Sequence, residues 1–422
     1  MSEAPPGKWT ALPGTVAVSP LTHTLQTMRT DGAAGENQLT LPADMLESVL
    51  HDARRLADEA EHLLAPVVEQ RDRLRLVLGE AEQIVSVPEP AEQVTLAAVD
   101  GGSVIDQMYA ADRLVIAALV AEGMRTSRTG ELHHATWTRT FAHQLDLDRL
   151  SDAVMSCLEL QLLHGINYQI KIFDGSHQTP VIALNSALSS RNPKVRSLTA
   201  EIVQETGAAE ALRSMCDGTA GLCIVGLPKA DSSTEFCQKY SRDYTFNLPP
   251  ITDRLLATLV LEPGEMLLPR KPENWHGLHI QFRKNTEVGE IEGNPATQRL
   301  VEMTARELDA AIEPLRNCSR AGHGVGITYL KPHKSNTCIK IEFKASQGKR
   351  HGVWLASILS AEAVSPHMQE PYAQFVADLW AKNVSMAADA LGAAIRHKLS
   401  PNSTWAQYLT LGYRTQTTGG NW

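Results

Sequence analysis

Two stretches of the sequence share one form: an apolar run ends in aspartate, and glycine follows at once. The first covers residues 94–103 (VTLAAVDGGS) and the second covers residues 168–176 (YQIKIFDGS). Each run has the length and composition of a buried β-strand. An isolated Asp-Gly pair after a strand is more often a tight turn, so the first stretch alone predicts a turn at its glycines. Two such strand ends in one sheet predict instead that Asp100 and Asp174 face each other.

The strands and helices predicted around these stretches follow a definite order. Three strands come first, at 94–99, 113–121 and 135–141, with connections short enough for an antiparallel meander. A helix at 148–164, a strand at 168–173, a helix at 192–215 and a strand at 221–227 follow. The order β-β-β-α-β-α-β is that of the RNase H-like fold. We therefore predict an α/β protein with an RNase H-like mixed sheet flanked by helices, an N-terminal helical extension and a C-terminal helix.

A third carboxylate is expected beside the first two. In this topology the first and fourth strands are neighbours at the sheet centre, so Asp100 and Asp174 converge, and the first core helix faces them. Glu159 lies on or beside the apolar stripe of that helix, next to Met155, Leu162 and Leu163. Burying an unpaired carboxylate is costly, and a bound cation offsets that cost. Glu159 is therefore predicted to be a metal ligand; the alternative is that it lies at the margin of the stripe and reaches solvent.

Two later residues are weaker candidates. Lys229 follows the fifth predicted strand and could bind a phosphate as a point charge, although a lysine after a proline is more often solvated surface. A last helix is predicted at 371–399, and on it Asp378 precedes Lys382 by four residues. That spacing is typical of a surface ion pair. A role for Asp378 at a metal site needs more support than spacing.

Composition limits the possible functions and partners. The chain has 422 residues and is 43% hydrophobic, and its formal net charge is −9, so binding to nucleic acid needs a local basic groove or a basic partner. The six cysteines show no CxxC pair, which argues against a zinc ribbon or a disulfide framework. With no signal peptide and no run of about 18 apolar residues, a cytoplasmic location is expected.

The chain is predicted to have four parts. Residues 1–40 form a flexible arm, 41–90 a helical extension, 91–400 the main domain and 401–422 a polar tail. The helical extension either packs on the main domain or serves as an interaction or dimer element.

Several ordered blocks resemble the NurA nuclease family, whose members process DNA ends with the hexameric translocase HerA. The resemblance covers roughly residues 90–400. It rests on AVDGGS, a helix with a central Glu159, IFDGS, VGLPK, TDRLL followed by EPGE, IKIE ending at Glu342, and a late Tyr-x5-Asp-x3-Lys helix. It implies an RNase H-like core and a manganese-dependent site. In that site Asp100, Glu159 and Asp174 would hold Mn²⁺ or Mg²⁺, as two ions, with Lys229 nearby.

The resemblance carries further expectations. Asp378 aligns with a position where some family members have histidine, and as an oxygen ligand it suits Mn²⁺ or Mg²⁺. Tyr329 matches an aromatic residue that lies close to the site in relatives. Residues 273–322 and both tails fall outside the family pattern.

The function implied by the resemblance is that of a metal-dependent DNA nuclease, an exo- or endonuclease. It would act as a homodimer docked on a HerA-type ATPase, in DNA repair or defence against phage. Two alternatives stay open: a catalytically inactive adaptor subunit of the translocase complex, and another phosphoryl-transfer enzyme on the same fold.

Overall fold

The computed structural model describes residues 43–108, 111–126, 133–143, 146–217, 223–272, 275–283, 295–317, 324–344, 348–366 and 368–398. The predicted arm at 1–40 and the predicted tail at 401–422 lie outside these residues. The chain divides into two units, residues 1–62 and 63–422. The described part of the first unit contains helix α1 (Ala43–His51) and the beginning of helix α2 (Ala53–Glu80).

A mixed β-sheet forms the centre of the second unit. Its strands are β1 (Ile84–Ser86), β2 (Leu96–Gln107), β3 (Asp112–Glu122), β4 (His134–Phe141), β5 (Ile170–Phe173), β6 (Cys223–Gly226), β7 (Glu265–Leu267), β8 (Val325–Lys331) and β9 (Ile339–Lys344). Across the described residues these nine strands form one sheet in the order β1-β7-β8-β9-β6-β5-β2-β3-β4. β2, β3 and β4 are antiparallel, whereas β5 pairs in parallel with both β2 and β6. The predicted RNase H-like core is confirmed, and four further strands extend it beyond β6.

Helices cover the sheet. They are α3 (Leu147–Gly165), α4 (Thr179–Leu188), α5 (Pro193–Thr206), α6 (Ala208–Asp217), α7 (Glu235–Asp243), α8 (Asp253–Val260), α9 (Pro295–Ala311), α10 (Glu313–Arg316), α11 (Gly348–Glu362), α12 (Tyr372–Ala381) and α13 (Val384–Lys398), with a 3₁₀ turn at Trp275–Gly277. Both α3 and α12 contact β2 and β3. In the part of the chain that the structure describes, no helix has the length and apolar character to span a membrane.

Two predicted helices are each divided. The helix predicted at 192–215 is α5 followed by α6, because Gly207 takes a left-handed conformation with φ 66° and ends α5. The helix predicted at 371–399 is α12 followed by α13. Between them the Asn383 side-chain amide donates to the carbonyl of Leu379 at 2.7 Å, a local bond that competes with the helical pattern.

The turn predicted at Gly101 and Gly102 is wrong, because both glycines lie inside β2. They pair with Ala118 and Ala117 of β3, and β2 continues to Gln107. Their lack of side chains serves close packing. A Cβ on Gly101 would lie 2.7 Å from Glu159 Oε1, and a Cβ on Gly102 would lie 2.1 Å from the carbonyl oxygen of Ala381. Since successive residues of a strand face opposite sides, α3 and α12 approach β2 from opposite faces of the sheet.

The apolar side chains of the helical extension are buried in one part of it and exposed in another. In the second unit Val67, Leu74 and Leu78 of α2 are fully buried in the largest apolar core. In the first unit the apolar side chains of Met45, Val49 and Leu56 are exposed. The part of α2 after residue 62 therefore belongs to the core of the main domain.

Candidate metal centre

Three aspartates meet at the point in the sheet where the parallel pairing of β2 with β5 ends. Val99 of β2 is opposite Phe173 of β5, so the next residues, Asp100 and Asp174, leave the paired segment side by side. α12 adds Asp378 from one face of the sheet. One carboxylate oxygen of each aspartate lies within 4.8 Å of the other two. The structure thus brings together three of the four residues predicted to hold a metal.

Glu159, the fourth, lies beside this cluster and outside the group of three. It is on α3, only 4% exposed, and it reaches β2 where Gly101 has no side chain. Burial raises its pKa well above the usual range for glutamate, and the charges of Asp100 and Asp174 raise it further. Glu159 is therefore electrostatically coupled to the cluster, although it approaches from the opposite face of the sheet to α12.

Lys229 balances the negative charge of the cluster. Its Nζ lies 2.6 Å from Asp174 Oδ2, 2.5 Å from Asp378 Oδ1 and 3.4 Å from Glu370 Oε2. Burial works against the charged ammonium, but these carboxylates outweigh it and raise the lysine pKa. The Lys229 side chain is 36% exposed, so it reaches solvent as the surface alternative expected, but its ammonium is also bonded to carboxylates of the site. Its ammonium is placed where three carboxylates require a cation.

The acidic groups of the site differ in their protonation. Burial, followed by the charge of Asp174, raises the pKa of Asp100 to about 8. Burial likewise raises the pKa of Glu370, with the charges of Asp174 and Asp378 adding to it. For Asp378 burial is overcome by ion pairs with Lys229 and Lys382, and its pKa is lowered. At neutral pH and without a metal ion, Asp100 is therefore mostly protonated, and a divalent cation would displace that proton.

Two residues of the site were not predicted. Glu370 precedes α12 in a loop and carries no sequence signal beyond its charge. Gln374 lies four residues before Asp378 on α12, a spacing that places both on one helix face and could have indicated it. Its side-chain amide donates to Asp174 Oδ1 and to the carbonyl of Leu227, both at 2.8 Å. Gln374 thus ties α12 to the residues that follow β5 and β6.

Tyr329 lies in a buried polar network behind the cluster. Its hydroxyl donates to Asp231 at 2.6 Å, and Lys340 lies 3.0 Å from Asp231 and 3.3 Å from Glu342. Glu342 in turn accepts hydrogen bonds from the Ser176 hydroxyl and the His177 backbone, both at 2.9 Å. Because these residues closely follow Asp174, the network holds the loop that carries this aspartate. Tyr329 contributes to that support, with its hydroxyl directed to Asp231.

The donor set fits a hard divalent cation. Asp100, Asp174 and Asp378 offer carboxylate oxygens, which Mn²⁺ and Mg²⁺ prefer. The Lys229 ammonium already occupies a cation's place between Asp174 and Asp378. These residues could hold a metal ion, with Glu159 coupled to them through charge.

Comparison with known proteins places the fold. No family model matches the chain, and no curated protein matches its sequence. The NurA nuclease from Sulfolobus solfataricus superposes with a TM-score of 0.53 at 11% identity, over 86% of this chain and 99% of that one. A NurA structure with manganese gives 0.44 at 11% identity, over 83% and 98%, and endonuclease V from Bacillus subtilis gives 0.28 at 10%, over 75% and 91%. The chain has a NurA-like fold, as its sequence blocks indicated.

Proposed function

We propose that this chain, which has the fold of the NurA nucleases, is a divalent-metal-dependent nuclease that hydrolyses phosphodiester bonds of DNA. The observation that carries the proposal is the convergence of Asp100, Asp174 and Asp378, whose carboxylate oxygens lie within 4.8 Å of one another, with the Lys229 ammonium bonded to Asp174 and Asp378. Such a cluster concentrates negative charge that only cations can balance, and its substrate is itself an anion.

Each residue of the site has its own role in the proposed reaction. Asp100, Asp174 and Asp378 hold the ions, which we propose to be two Mn²⁺ or Mg²⁺, and Glu159 adds negative charge from the other face of the sheet. Bound divalent ions supply a nucleophile at neutral pH and stabilise charge on the scissile phosphate and the leaving oxygen. Lys229, once the ions balance the aspartates, is free to pair with a phosphate oxygen as a point charge. Gln374 holds Asp174 in position relative to α12 through its hydrogen bond to the carboxylate.

We further propose that the chain works as a homodimer with a HerA-type hexameric ATPase in the cytoplasm, in DNA repair or defence against phage. A net charge of −9 supports a partner that supplies much of the affinity for DNA. Exposed apolar side chains at Met45, Val49 and Leu56 support a role for the N-terminal helices in assembly.

The test is digestion of linear DNA with Mn²⁺, with and without the ATPase, by the wild type and by Asp100→Asn and Asp174→Asn. Each substitution keeps the size of the side chain and removes a negative charge. Loss of several kcal/mol of transition-state stabilisation predicts a fall in kcat on the order of 100-fold or more. Chelation of the metal should abolish cleavage by the wild type.

Asp72→Asn is the matched control, because the Asp72 side chain is 92% exposed on α2, and it should cut like the wild type. Equal cleavage by the wild type and Asp100→Asn contradicts the assignment of the site. No cleavage by the wild type with any partner present contradicts the nuclease proposal and favours the adaptor alternative.

A further inference from the structure

A small cavity adjoins the candidate metal centre. It has a volume of about 110 Å³, and the residues that line it include Lys229, Arg254, Lys340, Glu370 and Gln374. Lys229, Glu370 and Gln374 belong to both the cavity and the metal centre, so the two are directly connected. The volume admits several water molecules, and therefore a phosphate group.

Arg254 is the notable cation of this cavity. It lies in the first turn of α8, and its guanidinium donates to the backbone carbonyls of Cys338 and Lys229. The neighbouring cations Lys229 and Lys340 are each bonded to carboxylates. Among the described residues no carboxylate forms an ion pair with Arg254. Its charge is therefore the one in the cavity lining that no acid balances.

The local structure holds Arg254 firmly in this place. The preceding residue, Asp253, is fully buried and accepts bonds from the Ser233 hydroxyl at 2.7 Å and the Cys237 backbone at 2.8 Å. Thr252 caps α8 by accepting from the Leu255 backbone at 3.3 Å. A guanidinium fixed through two carbonyls loses little entropy on binding and still has donors for an oxyanion.

We propose that this cavity binds a phosphate of the DNA strand next to the one being cut, with Arg254 as its main ligand. The inference rests on the proposed function and names a subsite within it. The acid in the lining, Glu370, pairs with Lys229 and thus leaves Arg254 to the phosphate. Binding one phosphate there while the neighbouring one reaches the aspartates would fix the register of the strand.

Binding is tested first, with the metal-free full chain and two probes that differ by a phosphate: thymidine 5′-monophosphate and thymidine. Calorimetry should show the monophosphate binding at least about tenfold more tightly than thymidine. Arg254→Gln should weaken binding of the monophosphate about tenfold, the loss of one charge-assisted contact. Arg254→Lys keeps the charge but not the paired N–H donors of the guanidinium, so its affinity for the monophosphate should lie between those of the wild type and Arg254→Gln. Thermal unfolding checks that both variants are folded.

Arg71→Gln is the matched control. Arg71 also donates to a backbone carbonyl of α8, that of Leu259, but it does not line the cavity, so its substitution should leave monophosphate binding unchanged. Equal binding by the wild type and Arg254→Gln, or equal binding of the two probes, overturns the subsite.

Kinetics then separates the strand from a free mononucleotide as the source of the phosphate. With linear DNA, Arg254→Gln should raise KM about tenfold and change kcat less. An unchanged KM together with weakened monophosphate binding overturns the assignment to the strand. If the wild type cuts no DNA but Arg254-dependent binding persists, the nuclease proposal fails while the phosphate subsite stands.

Discussion

At the scale of single residues, Asp100 and Glu159 are the groups of the site whose burial most destabilises the metal-free protein. Both are buried, at 8% and 4% exposure, and neither has a cationic partner as close as those of Asp174 and Asp378 among the ion pairs of the described chain. The raised pKa values follow from this arrangement. Such groups weaken the metal-free protein, and a bound cation of the kind proposed above would offset that cost.

We expect Asp100→Asn to stabilise the metal-free protein at alkaline pH. In the wild type the folded-state pKa of Asp100 is about 8, whereas the unfolded chain titrates near the ordinary value of 3.8. The folded state therefore binds the proton more tightly, and the free energy of unfolding falls as pH rises between these values. Asparagine cannot ionise, so the variant should be several kcal/mol more stable than the wild type at pH 9, up to about 6 kcal/mol for a shift of about four pKa units, with little difference at pH 4.

Denaturant unfolding in the presence of a chelator measures this difference. Asp72→Asn, the exposed control, should change stability by no more than about 0.5 kcal/mol at either pH. A variant that is less stable than the wild type at pH 9 contradicts the view that burial of charge at Asp100 is costly.

Site residues can be predicted from the sequence when the order of strands and helices alone determines their position. Asp100 and Asp174 come directly after the segments of β2 and β5 that pair in parallel, and the order of elements alone brings them together. Glu370 could not be found in this way, because it lies in a loop whose path depends on α11 and α12. Likewise, only the structure shows that Tyr329 directs its hydroxyl to Asp231 at 2.6 Å.

At the scale of elements, the contact between β2 and α12 positions Asp378. The close approach of Gly102 to the Ala381 carbonyl sets how near the helix lies to the strand. Asp378 is one turn earlier on the same helix. A change in this packing distance would therefore move a carboxylate of the candidate metal centre.

We expect Gly102→Ala to lower both stability and metal affinity. Its Cβ would lie 2.1 Å from a backbone oxygen, which cannot rotate away as a side chain can. Displacing α12 should cost about 1–3 kcal/mol of unfolding free energy, the usual cost of overpacking. Thermal unfolding and titration with Mn²⁺ measure the two effects.

Gly79→Ala is the matched control, because a Cβ on this residue of α2 meets nothing within 4 Å. It should raise stability slightly, by about 0.5–1 kcal/mol, through the higher helix propensity of alanine. If Gly102→Ala keeps the stability and the Mn²⁺ affinity of the wild type, the close approach does not control the position of Asp378.

The same element shows why the predicted turn was wrong. Asp-Gly-Gly after an apolar run has the local signature of a turn, and nothing in the stretch itself distinguishes a turn from a strand crowded on both faces. The distinction depends on Glu159 and Ala381, which are distant in sequence. The order of the core elements from β2 to β6, by contrast, was predictable because it follows from patterns within each element and from short connections.

At the scale of the whole molecule, the boundary between the two units falls inside α2. The main unit begins at Leu63, and Val67, Leu74 and Leu78 of the helix are fully buried in its core. Arg75 adds ion-pair contacts to Glu265 at 2.6 and 2.7 Å. The second half of α2 is therefore needed for the stability of the sheet domain. Sequence periodicity could not separate this half of the helix from the first half.

A chain that begins at Leu63 should fold, with a Tm within about 4 °C of the full chain. A chain that begins at Ala81 lacks three buried side chains, worth about 1.5–3 kcal/mol each, and should be unfolded or aggregated at 25 °C. Circular dichroism and size-exclusion chromatography test both. Equal stability of the two shortened chains would contradict the role given to the second half of α2.

Lys229 has a consequence for the life of the protein in a cell. Many metal proteins complete their folding only when the ion arrives. Here the ammonium is part of the chain itself and supplies a positive charge among Asp174, Asp378 and Glu370 as soon as the chain folds. Under the function proposed above, a cell short of the divalent ion would keep a folded, inactive reserve of this protein and could bring it into use by importing the ion without making new chains.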